Sequence, residues 1–102
     1  MTIKITFPSR ITAKTLRGET KKLIQSNFAN SQICSNNYFI IEGTHVLIQK
    51  RDVLLTFNSN DCNEVNCLRR YVSHLFRGAI LGVDYENPVT THLNGVKEYL
   101  YY

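Results

Sequence analysis

Glycine, proline and cysteine are sparse in this chain of 102 residues, at five, two and three copies, and no long apolar run occurs. The glycines Gly18, Gly43, Gly78, Gly82 and Gly95 are scattered, so no glycine-rich loop is available to cradle a phosphate. The odd set Cys34, Cys62 and Cys67 does not make a disulfide framework, and reduced thiols are expected. No stretch approaches the roughly 20 apolar residues of a membrane-spanning helix. The start, Met1-Thr2-Ile3-Lys4-Ile5-Thr6-Phe7, lacks the apolar core and small-residue cleavage site of a secretory signal, so a cytoplasmic location and no membrane partner are expected. No linker is long enough to split the chain, which predicts one α+β domain over residues 1–102.

What is present is an ordinary globular balance, 43% apolar and 20% charged. A chain of this length buries roughly two-thirds of its unfolded surface and builds a core without metal or disulfide support. Asparagine, isoleucine and tyrosine are abundant, a bias common in AT-rich genomes, including phages and mobile elements. The net charge of +4 is unevenly spread. Residues 1–51 carry +6: Lys4, Arg10, Lys14, Arg17, Lys21, Lys22, Lys50 and Arg51 against Glu19 and Glu42. Residues 52–102 carry −2. Such asymmetry points to an acidic partner or to a mixed, solvated surface.

Ile3, Ile5 and Phe7 alternate with Thr2, Lys4 and Thr6, which predicts a half-buried strand closed by Pro8. Residues 9–28 admit two readings. As a helix capped by Ser9 or Thr12, they place Ala13, Leu16, Thr20, Leu23 and Ile24 on one face and Lys14, Arg17, Lys21 and Gln25 on the other. As a hairpin, they make Arg10–Leu16 a second strand and start a shorter helix near Glu19; Gly18, Thr12 and Thr15 favour that version. Residues 27–37 read as a polar loop. The runs Tyr38–Ile41, His45–Gln49 and Val53–Phe57, parted by Glu42-Gly43-Thr44 and Lys50-Arg51-Asp52, predict a three-stranded antiparallel meander.

A second helix is expected to start at Asn60 or Asp61, where Asp61 and Glu64 resemble a capping box. Val65, Leu68, Val72, Leu75, Phe76 and Ala79 recur at helical spacing on one face, and Gly78 and Gly82 mark the end. Asn94-Gly95 between two β-prone runs predicts a hairpin with Leu93 opposite Val96 and Thr91 opposite Glu98; a short terminal helix after Asn94 is the alternative. The expected fold is therefore an antiparallel sheet (strand, helix, three-stranded meander, helix, C-terminal hairpin) with two helices packed on it.

Residues 11–80, ordered helix, three strands, helix, resemble a double-stranded-RNA-binding domain in outline. The likeness covers element order alone. The family's last helix opens on lysines, whereas Asp61-Cys62-Asn63-Glu64 is acidic here and would repel a phosphate, so the activity is not implied.

Chemistry finds little foothold. Cys62 and Cys67 project about 140° apart on a helix, and Cys67 and His74 stand roughly 10 Å apart, too far for one metal ion. Cys67, His74 and Asp84 have the residue types of a nucleophilic triad but no surrounding motif. No catalytic residue, metal or cofactor is assigned. Recognition has more candidates. Lys14, Arg17 and Lys21 line one helix, and Arg70, His74 and Arg77 line the outer face of the other, two stripes able to neutralise phosphates or acidic side chains. Tyr99 and Tyr101 share one face of the hairpin with His92 and Lys97, and tyrosine and arginine are frequent interface anchors. The expected function is stoichiometric binding to a protein partner with an acidic surface, as an inhibitor, immunity or adaptor protein. Nucleic-acid binding through the basic faces is the alternative, and a small enzyme the third reading. A homodimer through an exposed hairpin edge is also admitted.

Overall fold

A computed structural model describes residues 2–26, 30–57, 63–78 and 87–101, without the side chains of 63–68 and 78. Strand β1 is Thr2–Thr6, helix α1 Ala13–Ser26, β2 Gln32–Ile33, β3 Tyr38–Ile41, β4 Thr44–Gln49, β5 Asp52–Thr56, helix α2 Asn63–Gly78, β6 Val89–Leu93 and β7 Val96–Leu100. The α+β expectation holds, with two helices and one seven-stranded sheet among the described residues, ordered β2-β3-β4-β5-β1-β7-β6. The wholly antiparallel sheet expected from sequence is corrected to a mostly antiparallel one. β1 runs antiparallel to β5 but parallel to β7, with Ile3 opposite Lys97 and Ile5 opposite Tyr99. The first strand and the last hairpin are far apart in sequence, so no local signal announces their pairing. No described helix is long and apolar enough to cross a membrane.

Helix α1 resolves the ambiguity of residues 9–28 against a strand at Arg10–Leu16. Thr12 is its cap: the Thr15 amide donates to Thr12 Oγ1 at 3.2 Å, and the Leu16 amide to the Thr12 carbonyl at 3.1 Å. Leu16, Thr20 and Leu23 are buried at i, i+4 and i+7, with Ala13 and Ile24 packed against the core. Burial of this stripe outweighs the cost of Gly18, which faces open space.

Alternation fills the core from one face of the sheet. Ile3, Ile5 and Phe7, Phe39 and Ile41, Val46 and Ile48, and Val53 and Leu55 all point to the helix side and are buried. From α2 come Tyr71, Val72, Leu75 and Phe76. The meander's turns are tighter than the sequence suggests. Glu42-Gly43 is a two-residue loop with both residues at positive φ, 49° and 87°, so Thr44 joins β4. Asn94-Gly95, at 52° and 77°, closes the last hairpin in the expected register. The expected polar loop at 27–37 contains β2, which pairs Gln32 with Ile40 and Ile33 with Phe39. The expected capping box at Asp61 and Glu64, the face positions Val65, Leu68 and Ala79, and the helix end at Gly82 lie outside the described residues or side chains.

The outlined helix–three strands–helix unit is not self-contained. β5 continues through β1 into β7, and the Tyr101 amide donates to the Thr6 carbonyl at 3.0 Å. That bond seats Tyr101 against Phe7 and Phe76, with ring centroids 6.1 and 5.2 Å away. The C-terminal end of the described chain is thereby part of the core.

Candidate binding surfaces

The expected site residues do not gather at one place. On α1, the inward stripe of Leu16, Thr20 and Leu23 forces Lys14, Arg17 and Lys21 outward. Lys14 is exposed and Arg17 and Lys21 are half-buried. Lys21 Nζ donates to Asn36 Oδ1 at 3.4 Å, and neither Lys14 nor Arg17 makes an ion pair among the described residues.

The second stripe differs from its expected role. Arg70 is clamped by Glu42 in the β3–β4 turn, with guanidinium–carboxylate distances of 2.9 and 3.4 Å. This forked contact takes the geometry that a phosphate would need. Arg77 is exposed in the last turn of α2, and His74 is half-buried with contacts of its own.

The tyrosines correct the expectation of an outer interface face. Ile3 and Ile5 stand opposite Lys97 and Tyr99, so Lys97, Tyr99 and Tyr101 point to the helix side of the sheet. Tyr101 is 6% exposed, inside the aromatic cluster. Burial, with the neighbouring Tyr99 second, pushes its hydroxyl pKa up to about 12. Tyr99 is half-buried against the core, with Lys97 Nζ 5.4 Å from its ring centroid. Parallel pairing with β1 decides this, because it fixes which face of β7 meets the core.

Sequence reasoning missed the other face of the sheet, which no described helix covers. Tyr38, Ile40, Leu47 and Leu54 lie on it half-buried, with Tyr38 hydrogen-bonded through its hydroxyl to His45 Nδ1. Across its middle runs a polar strip. Thr91 donates to Glu98 at 3.2 Å, Lys4 stands 3.6 Å from Glu98 and 4.0 Å from Asp52, and Thr6 donates to Asp52 at 2.8 Å. Beyond the strip, Val96 and Leu100 are half-buried, and Val89 and Leu93 are 47% and 59% exposed on β6. The signal was there: Tyr38–Ile41 and Val53–Leu55 are apolar without interruption, so both faces of those strands carry apolar side chains.

These contacts leave the described surface with one sign of free charge. Glu19, Glu42, Asp52 and Glu98, the acidic residues whose side chains are described, all pair with a cation. Cys34 is exposed, while the side chains of Cys62 and Cys67 lie outside the described set. Comparison with family models, curated proteins and solved structures finds no match to this chain.

Proposed function

We propose that this protein acts by stoichiometric binding to a protein partner with an acidic surface, as a small inhibitor, immunity or adaptor protein does. The observation that carries the reading is charge accounting on α1. The described carboxylates are taken up by Lys4, Lys22 and Arg70, whereas Lys14 and Arg17, beside Lys21, have no counter-ion among the described residues. A stripe of uncompensated cations on a rigid helix steers an acidic partner and fixes its register. A protein suits it better than a nucleic acid. Arg70 is withdrawn from the second stripe by Glu42, and the α1 stripe of Lys14, Arg17 and Lys21 offers few cations against a duplex binder making about six to ten phosphate contacts.

The test compares the tagged wild-type chain with the triple variant Lys14→Glu, Arg17→Glu, Lys21→Glu in native lysate, with and without nuclease. A partner captured in fixed ratio, retained after nuclease and at moderate salt, and lost from the triple variant supports the reading. Capture that nuclease abolishes, with the absorbance of nucleic acid in the eluate, overturns it in favour of the basic-face alternative.

A further inference from the structure

Among the described residues the sheet has two edges of unequal length, and the longer one complements itself. β2 contributes two residues at one edge, a length that resists further pairing. β6 contributes five at the other, all exposed. Pro88 adjoins its start, but the strand itself, Val89-Thr90-Thr91-His92-Leu93, holds no lysine, carboxylate, proline or bulge of the kinds that guard natural edges.

We propose that β6 is a self-association seam, on which a second copy of this chain pairs antiparallel about a two-fold axis at Thr91. The register follows from the hairpin. A two-residue turn makes Leu93 and Val96 a hydrogen-bonded pair, and alternation extends this to Thr91 with Glu98 and Val89 with Leu100. The backbone N–H and C=O groups of Thr90 and His92 therefore point off the edge. An axis at Thr91 sets Thr90 opposite His92 of the second copy, and His92 opposite Thr90. All four off-edge groups of each chain then find partners in one geometry.

The side chains agree with the same axis. Val89 lies opposite Leu93 of the second copy, and Leu93 opposite its Val89. Each exposed apolar residue thereby gains an apolar neighbour on the uncovered face. Because Val89 is backed by Leu100 and Leu93 by Val96, two unbroken apolar rows cross the seam. A one-residue slip turns the off-edge backbone groups out of register, and a two-residue slip sets Val89 or Leu93 opposite Thr91 of the second copy, so the apolar matching favours the axis at Thr91. A symmetric contact of this kind closes on itself and stops at two copies.

The α1 cations lie on the helix layer, away from this edge, so the seam stands apart from the binding reading above. The test is the molar mass of the purified chain by size exclusion with light scattering, from micromolar to millimolar concentration. The wild type is expected to move from monomer to dimer across that range. Thr91→Lys places like charges directly opposite each other across the axis, yet faces Glu98 within its own chain. It should associate severalfold more weakly while its circular dichroism and melting temperature hold. An equal mixture of Thr91→Lys and Thr91→Glu should restore dimers. A wild type monomeric throughout, a Thr91→Lys chain that dimerises as the wild type does, or a mixture no better than Thr91→Lys alone overturns the proposal. The triple α1 variant should dimerise normally, which separates failure of the seam from failure of the partner reading.

Discussion

Substituting Thr20 by valine tests how the two helices are joined. Thr20 is fully buried on α1. Its hydroxyl has one proton, and the short contact of 2.7 Å to the Leu16 carbonyl takes it. The 2.6 Å contact to the Tyr71 hydroxyl on α2 must therefore run from tyrosine to threonine. Valine keeps the shape and, at that helix position, nearly the same propensity. What is lost is the acceptor for a hydroxyl on a side chain 1% exposed. Removing one partner of a buried hydrogen bond costs about 1–3 kcal/mol. Tyr71→Phe removes the donor and leaves the Thr20 proton on Leu16, so a smaller loss of about 0.5–1.5 kcal/mol is expected. In the double variant both partners are apolar, and its loss should fall below the sum of the single losses by about 1 kcal/mol. Urea unfolding of the four chains gives the cycle. For a domain of this size the Thr20→Val loss should lower the melting temperature by roughly 4–8 °C per kcal/mol. Additive single losses, or a Thr20→Val chain as stable as the wild type, would refute a buried, directional link between α1 and α2.

Three further outcomes follow from local geometry. Gly18→Ala should stabilise the protein by up to about 1 kcal/mol in denaturant unfolding, because the added methyl meets nothing within 4 Å and the helix gains a better former. Thr12→Ala should cost about 1 kcal/mol in the same assay by leaving the Thr15 amide uncapped. Tyr101, held protonated to about pH 12 against an ordinary value of 10, should make stability fall at alkaline pH. A folded-state value above the unfolded one means that the stabilisation is whole below pH 10 and lost as pH rises towards 12, by at most about 2–3 kcal/mol. Unfolding measured from pH 9 to 12 should show a shallower decline for Tyr101→Phe; an unchanged slope would count against burial of this hydroxyl.

The sequence by itself determined the pieces whose signals are local. Alternation of Ile3, Ile5 and Phe7 marked β1. The continuous runs marked the meander, and helical spacing of Val72, Leu75 and Phe76 marked the core face of α2. Asn94-Gly95 set the register of the last hairpin, because two consecutive residues at positive φ admit few alternatives. Only the tertiary structure decided how the pieces join. Parallel pairing of β7 with β1 follows from contacts between the two ends of the chain, and it sends Tyr101 into the core rather than to an interface. The clamp of Glu42 on Arg70 joins a turn to a helix 28 residues away, so a stripe legible as free charge on a helical wheel is partly spent. The same assembly chose which sheet face the helices cover and which strand was left at the edge. Periodicity says that a strand has two faces, but what lies against each is settled by the rest of the chain.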